Sequence, residues 1–180
     1  MHIIHIILKG ASNKTKWKIL ALSFIVISSC AEPAKEKQKE SIQEKKTTAV
    51  VKLVDLDDQP VNIDQFKGKT VFVNFWATWC KPCILEMPSI DSAQKLLNEK
   101  NVVFLLASNE TSDLINEFKK EHNPDLNYVR VLNLEELAIE ALPTTYIFNP
   151  RGELAFSETG YRKWNDQDNI KMIVRINNQK

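Results

Sequence analysis

The feature that most constrains this chain is a pair of cysteines between a predicted strand and a predicted helix. Thr70–Trp76 is a nearly continuous apolar run, as expected of a buried central strand. Cys80 and Cys83 follow it, and apolar residues then recur at helical spacing up to Leu97. The sequence therefore predicts a helix over residues 80–98 that begins at the cysteine pair.

This placement favours redox chemistry at the two thiols. Free backbone N–H groups and the helix dipole stabilise a thiolate at a helix N-terminus. The pKa of Cys80 is therefore expected to fall below the ordinary value of about 8.5, which makes Cys80 the nucleophile. Cys83, one turn later, is the expected resolving thiol. Pro82 is tolerated because the first helical turn needs no internal N–H bond.

Two other interpretations of the pair are weaker. Structural zinc requires four Cys or His ligands, and apart from Cys30 the predicted domain offers only His122 in addition to the pair. A purely structural disulfide would close a very short loop and constrain the unfolded chain by only about 2 kcal/mol. We therefore predict a redox pair without a bound metal.

Residues 1–29 have the pattern of a secretory signal. They contain four lysines and no acid, and they end in the apolar run Ile19–Ile27. This run is shorter than the roughly 20 residues that a membrane-spanning helix needs. Ile27-Ser28-Ser29-Cys30 resembles the lipobox of bacterial lipoproteins, in which the Cys becomes the mature N-terminus and carries lipid. We predict lipidation of Cys30; the alternative is an uncleaved anchor.

Charge separates the rest of the chain into two parts. The net charge of +1 gives no support for nucleic-acid binding, and removal of residues 1–29 changes it to −3. Residues 30–48 alternate Lys and Glu, with Ile42 as the only sizeable apolar side chain. Such a segment buries too little apolar surface to fold, so it is predicted as a flexible tether. The tether would join lipid on Cys30 at a membrane to a domain over residues 49–180.

The pattern of this domain predicts an α/β fold. Two short strands around the turn at residues 57–60 form an N-terminal hairpin, and a second hairpin turns at residues 149–152. Alternating strands and helices between them predict a central mixed sheet with helices on both faces. The predicted strands cover residues 50–54, 61–63, 70–76, 102–107, 126–132, 144–148 and 153–156, and the predicted helical segments after the first helix cover residues 112–121, 135–141 and 165–177. One further helical turn is predicted at residues 64–66, with Asp64 as its cap and Gly68 as its end.

A resemblance to a known family rests on two motifs. Residues 70–88, TVFVNFWATWCKPCILEMP, resemble the active-site stretch of the thioredoxin superfamily, specifically its TlpA/ResA-like branch of periplasmic thiol-disulfide oxidoreductases. The resemblance covers roughly residues 49–178 and includes the Leu-Pro-Thr-Thr segment that starts at Leu142. It implies a thioredoxin-like fold with extra elements, a Cys80–Cys83 disulfide and no bound cofactor.

The resemblance also implies roles for single residues. Pro143 matches the family's cis-proline, which faces the active site and helps to receive the substrate chain, and its neighbours Leu142 and Thr144 are expected to bind the substrate with it. Trp79 matches the aromatic residue before the first Cys, part of the substrate-facing surface. Pro88 matches a proline that kinks the active-site helix.

Two positions bear on proton transfer. Asn74 stands where thioredoxins themselves have a buried Asp, and Asn cannot accept a proton from the resolving thiol. Glu86 matches a Glu of the ResA-like branch, and it shares a helix face with Cys83. Glu86 could therefore influence the thiol pKa values or relay a proton; the alternative is an ordinary Glu in an early helical turn.

His122 is expected in an exposed loop.

The predicted reaction is thiol-disulfide exchange, in which Cys80 attacks a partner disulfide and Cys83 displaces the reduced partner. The resemblance favours a reductant on the periplasmic side of the cell envelope, recharged by a membrane thiol-transfer protein. Its substrates would be disulfide-bearing proteins, with apocytochrome c as one candidate. Three alternatives stay open at this point: a disulfide-forming oxidant, a non-catalytic binding module of an envelope complex, and a thiol peroxidase, whose P-x3-T-x2-C pattern is absent.

Overall fold

A mixed seven-stranded sheet organises the computed structural model, which describes residues 50–122 and 125–179. The predicted signal peptide, Cys30 and the tether lie outside the described residues, so these assignments and the domain boundary at residue 49 stay predictions. No helix within the described ranges is long and apolar enough to cross a membrane.

The sheet has the strand order β2-β1-β5-β4-β3-β6-β7. The strands are β1 (Leu53–Val54), β2 (Pro60–Val61), β3 (Thr70–Phe75), β4 (Val102–Ser108), β5 (Tyr128–Val131), β6 (Thr144–Phe148) and β7 (Leu154–Thr159). Strands β3, β4 and β5 run parallel, whereas β6 pairs antiparallel with both β3 and β7. The β1–β2 hairpin adds to the far edge, where β1 pairs antiparallel with β5.

The described residues form three α-helices, α1 (Lys81–Leu96), α2 (Ser112–Glu121) and α3 (Gln167–Asn177). Side chains cap the start of each helix: the Thr111 hydroxyl accepts from Leu114 N, and the Asp166 carboxylate accepts from Asp168 N. The cap of α1 is Cys80 itself. Helix α1 continues through Pro88, whose missing N–H removes one internal hydrogen bond.

Two apolar clusters cover the two faces of the sheet. Successive side chains of β3 point to opposite faces of the sheet, so Phe72 packs in one cluster and Val71 and Val73 pack in the other. The three α-helices contribute side chains to the Phe72 cluster, and short 3-10 turns, Ile63–Phe66 and Leu134–Leu137, contribute to the other. The predicted α/β class, the mixed central sheet and the extra N-terminal hairpin are confirmed. Helices were expected on both faces, but the three α-helices of the described residues all contribute to the Phe72 cluster, and only 3-10 turns cover the other face.

Three local predictions are wrong. The helix expected over residues 135–141 is only the 3-10 turn Leu134–Leu137, which ends where Ala138 takes a left-handed φ of 52°. Its preceding Asn133 does not cap it, because that amide accepts from Lys52 N and donates to the carbonyl of Val50. The turn at Ile63–Phe66 is capped by Asn62 rather than by Asp64. The first two strands are shorter than predicted, at Leu53–Val54 and Pro60–Val61.

Candidate active site

The cysteine pair lies where β3 passes into α1. A tight turn precedes the helix, because Cys80 N donates to the carbonyl of Ala77 at 3.0 Å. Cys80 is the N-cap residue of α1, and its Sγ accepts a hydrogen bond of 3.3 Å from Cys83 N. The sulfur of Cys80 thus lies at the positive end of the helix dipole, the position that stabilises a thiolate.

Cys80 and Cys83 form a disulfide with a Cα–Cα distance of 5.3 Å. The two residues differ in accessibility, since Cys80 is 4% exposed and Cys83 is 0% exposed. An incoming sulfur therefore meets Cys80 first, and Cys83 is shielded behind it. This asymmetry suits an attacking thiol paired with a resolving thiol.

Trp79 is a large apolar side chain on the surface beside the disulfide. It is 74% exposed, and the next residue, Cys80, is the more accessible half of the disulfide. Aromatic side chains with high exposure occur where a protein binds a partner. Trp79 is therefore accessible to a partner protein, and its substrate-facing role stays a prediction.

The Pro143 loop lies at the same end of the sheet as the disulfide. Antiparallel pairing sets Thr144 opposite Phe75, the last residue of β3. The Leu142–Pro143 peptide bond is cis, and the carbonyl of Pro143 accepts from Gly160 N at 2.8 Å. The ring of Pro143 is buried, whereas Leu142 is partly exposed.

Thr144 has a different position from the one expected of a substrate-binding side chain. It is buried, and its hydroxyl contacts the carbonyl of Ala141 at 2.7 Å and the Thr159 hydroxyl at 2.8 Å. The side chain of Thr144 therefore supports the loop that carries Pro143 rather than facing a substrate.

Glu86 is a buried carboxyl in α1, one turn after Cys83. It is 0% exposed, and each oxygen accepts one hydrogen bond: Oε1 from Asn74 Nδ2 at 2.6 Å and Oε2 from Arg162 N at 3.0 Å. Burial raises the pKa of Glu86 to about 7, against the opposing effect of Arg162 N and of the side chains of Asn74 and Trp164. Glu86 is thus no ordinary surface Glu, and near neutral pH it can both give and take a proton.

Asn74 joins three elements around this carboxyl. Its Nδ2 donates to Glu86 in α1 and also to Thr145 Oγ1 in β6 at 3.0 Å. Its Oδ1 is buried and has no hydrogen-bond partner in the described part of the chain. Asn74, which stands where thioredoxins have a buried Asp, therefore provides an amide that orients the Glu86 carboxyl.

Two contributors to the site were missed by the sequence analysis. Arg162 supplies a backbone N–H from a segment 76 positions away, and no local pattern reveals such a partner. Glu110 holds Thr78, two residues before Cys80, and it follows the end of β4. Polar residues gather at the carboxyl ends of parallel strands, a rule that could have pointed to Glu110.

The remaining expectations concern metals and His122. The described residues contain no group of three or more His, Cys, Asp or Glu side chains that could hold a metal ion. His122 is exposed at the end of α2, and its ring stacks on Phe118 with centroids 3.8 Å apart.

Known proteins similar to this chain carry the same fold and the same kind of chemistry. Residues 37–173 match the model of the Redoxin family. The chain is 31% identical over 128 residues to thiol-disulfide oxidoreductase ResA of Bacillus subtilis, covering 68% of this chain and 70% of that protein. It is 32% identical to ResA of Bacillus thuringiensis over 108 residues, which span 61% of that relative. A thioredoxin family thiol:disulfide interchange protein of Chlorobium tepidum has a similar structure, with a TM-score of 0.58, 26% identity and coverage of 71% of this chain and 96% of that one.

Proposed function

This chain belongs to the Redoxin family, as a TlpA/ResA-like member of the thioredoxin superfamily, and on that premise we propose that it reduces disulfides of cell-envelope proteins. Its reaction class is thiol-disulfide exchange, and it is a protein-disulfide oxidoreductase. The observation that carries the proposal is the position of Cys80, which caps α1 and is disulfide-bonded to the buried Cys83.

The reaction runs in two exchanges. In the reduced protein, the Cys80 thiolate attacks one sulfur of the partner disulfide; a Cys80–partner bond forms and the other partner sulfur leaves as a thiolate. Cys83 then loses its proton and attacks Cys80 Sγ, so the intramolecular disulfide forms and the second partner sulfur leaves. Two electrons pass to the partner, and the protein ends oxidised.

Glu86 is the proposed proton acceptor for Cys83. Its pKa of about 7 allows it to be ionised when the resolving thiol must lose a proton, and to return that proton afterwards. Cys83 and Glu86 are three residues apart on α1, so they share one face of the helix. Asn74 and Arg162 hold the two carboxylate oxygens in place.

The remaining parts of the proposal concern the environment of the enzyme. Trp79, Leu142 and the main chain around Pro143 form the surface that receives the substrate protein. A membrane thiol-transfer protein re-reduces the Cys80–Cys83 disulfide, and apocytochrome c is a candidate substrate. The signal pattern over residues 1–29 and the lipobox at Cys30 support a lipid-anchored protein on the periplasmic side of the envelope.

Insulin reduction driven by dithiothreitol tests the proposal. We expect the full chain to accelerate the reaction well above the rate with dithiothreitol alone. Cys80→Ser should abolish this acceleration, because it removes the nucleophile. Cys30→Ser is the matched control. It removes the cysteine that is not part of the pair, so the rate should stay unchanged. A wild-type protein that gives no acceleration, or a Cys80→Ser variant that keeps it, would favour a non-catalytic binding module.

A further inference from the structure

A carboxylate outside the cysteine pair holds the loop that leads to Cys80. Thr78 N donates to Glu110 Oε2 at 2.8 Å, and Thr78 Oγ1 donates to Glu110 Oε1 at 2.7 Å. Both oxygens of one carboxylate thus bind a single residue by two hydrogen bonds. Bonds to a charged acceptor are about twice as strong as neutral ones, and a two-point contact also fixes orientation.

The position of Glu110 follows from the parallel pairing of β3 and β4. Phe75 lies opposite Ala107 in that pairing, and Thr78 and Glu110 are each three residues further along. The segments that follow β3 and β4 therefore leave the sheet side by side, so the Glu110 carboxylate can bind Thr78. Sequence separation hides this relationship, because the partners are 32 positions apart.

Glu110 is itself held by its surroundings. Ser108 Oγ donates to Glu110 Oε2 at 3.0 Å and accepts from Glu110 N at 3.2 Å. Arg130 Nε donates to the carbonyl of Glu110 at 3.2 Å, and the Arg130 guanidinium pairs with Asp58 in the turn of the β1–β2 hairpin. The added N-terminal hairpin therefore braces the residue that binds the active-site loop.

We propose that Glu110 is a positioning residue that fixes Thr78 and thereby presents Trp79 and Cys80 to a protein substrate. Trp79 lies between two residues with fixed main chains, Thr78 on Glu110 and Cys80 on the carbonyl of Ala77. The main chain that carries Trp79 is thus fixed before a partner arrives, which lowers the entropy cost of binding. This role rests on the proposed function, because it concerns recognition of a protein disulfide.

A positioning role of Glu110 should affect protein substrates more than small disulfides. A protein disulfide needs the Trp79 surface, whereas hydroxyethyl disulfide needs only access to the Cys80 sulfur. Glu110→Ala should raise the KM for insulin about five- to tenfold, as expected from loss of one or two hydrogen bonds. Its rate with hydroxyethyl disulfide should change less than about twofold, because Cys80 remains the cap of α1.

Conservative variants distinguish positioning from general damage. In Glu110→Gln the amide oxygen can accept from Thr78 N while the amide N–H donates to Thr78 Oγ1, so KM should return toward the wild-type value. Glu117→Ala, at an exposed position of α2, is the control for loss of a carboxylate. Should Glu110→Ala fail to fold, Thr78→Val and Thr78→Ser make the same comparison, with KM raised only in the variant without the hydroxyl.

The test measures kcat and KM of the full chain for insulin, the rate with hydroxyethyl disulfide, and deuterium exchange of the segment containing Thr78. We expect Glu110→Ala to raise KM and speed exchange, and Glu110→Gln and Glu117→Ala to do neither. An unchanged KM, an equal loss toward both disulfides, or unchanged exchange would overturn the inference. A wild-type chain that does not reduce insulin would contradict the proposed function instead, and faster exchange in Glu110→Ala would still show that Glu110 holds the loop.

Discussion

Glu86 and Arg162 lie 76 positions apart in sequence and are joined by a hydrogen bond of 3.0 Å from the backbone N–H of Arg162 to Oε2 of Glu86. The other carboxyl oxygen accepts from Asn74. Hydrogen-bond donors partly stabilise the charged form of Glu86, yet burial dominates and raises its pKa to about 7. A proton-exchanging group thus lies one helical turn beyond the resolving cysteine.

Glu86 should make the stability of the protein depend on pH. Its pKa is about 7 in the folded protein against an ordinary 4.5. Its contribution to stability is therefore fully present below pH 4.5 and is lost as pH rises through about 7. The whole effect is on the order of 3 kcal/mol. We expect the free energy of unfolding by urea to fall over this interval, and Glu86→Gln to reduce that fall.

The control for this measurement is Glu117→Gln, which makes the same substitution at an exposed position of α2. Its pH profile should follow that of the wild type. Parallel profiles for Glu86→Gln and the wild type would show that the pKa of Glu86 is close to its ordinary value.

Removing the Asn74 amide should raise the pKa of Glu86 further. Asn74 Nδ2 donates to Oε1 at 2.6 Å and so favours the ionised carboxyl, a preference that Asn74→Ala abolishes. The carboxyl carbon shift of Glu86, followed by NMR against pH, measures this. Thr145→Val is the comparison, because it keeps the Asn74 amide and removes only its second partner. A lower or unchanged pKa in Asn74→Ala would mean that the amide does not stabilise the charged form.

The Arg162 side chain should stabilise the segment whose backbone binds Glu86. Its guanidinium donates to Asn169 Oδ1 at 2.6 Å, pairs with Glu158 and lies over the Trp164 ring. We expect Arg162→Met to lower the free energy of unfolding by about 1–2 kcal/mol. Lys171→Met, which breaks an exposed 4.0 Å pair with Asp168, should cost less than about 0.5 kcal/mol. Equal effects of the two variants would argue against a bracing role for Arg162.

Elements with strong local signals could be predicted from the sequence. Helix α2 and strand β6 have the predicted bounds, Ser112–Glu121 and Thr144–Phe148. Apolar spacing and the Thr111 cap define the helix, and a clear turn follows the strand. The helix predicted at residues 135–141 does not form beyond one 3-10 turn, because the Asn133 side chain before it binds Lys52 N and the Val50 carbonyl and caps no helix.

Only the site residues that lie within short sequence motifs could be predicted. The cysteine pair and Pro143 belong to short recognisable segments; the pair follows β3, and Pro143 precedes Thr144, which pairs with the last residue of β3. Other contacts join chain segments that meet only in the folded protein. These are the hydrogen bond of Arg162 N to Glu86 and the hydrogen bonds of Thr78 to Glu110. The position of Glu110 after a parallel strand could mark it as a candidate, but its partner Thr78 cannot be identified from the sequence.

The reductase direction predicts the reduction potential of the Cys80–Cys83 pair. Thioredoxin has a potential of about −270 mV and the oxidant DsbA about −120 mV. We expect the pair to lie nearer to thioredoxin when it is equilibrated with a dithiol of known potential and the thiol fraction is determined by alkylation. A value near that of DsbA would instead indicate a protein that forms disulfides.

Trapping the mixed disulfide tests the central claim most directly. In Cys83→Ser, Cys80 can still attack a partner disulfide, but the resolving step cannot follow. We predict that this variant, reduced and mixed with an oxidised protein substrate, accumulates a covalent complex that mass spectrometry links through Cys80, and that Cys80→Ser gives no comparable complex. A complex formed equally well through Cys83 in Cys80→Ser, or no complex in Cys83→Ser, would contradict the assignment of Cys80 as nucleophile and Cys83 as resolving thiol.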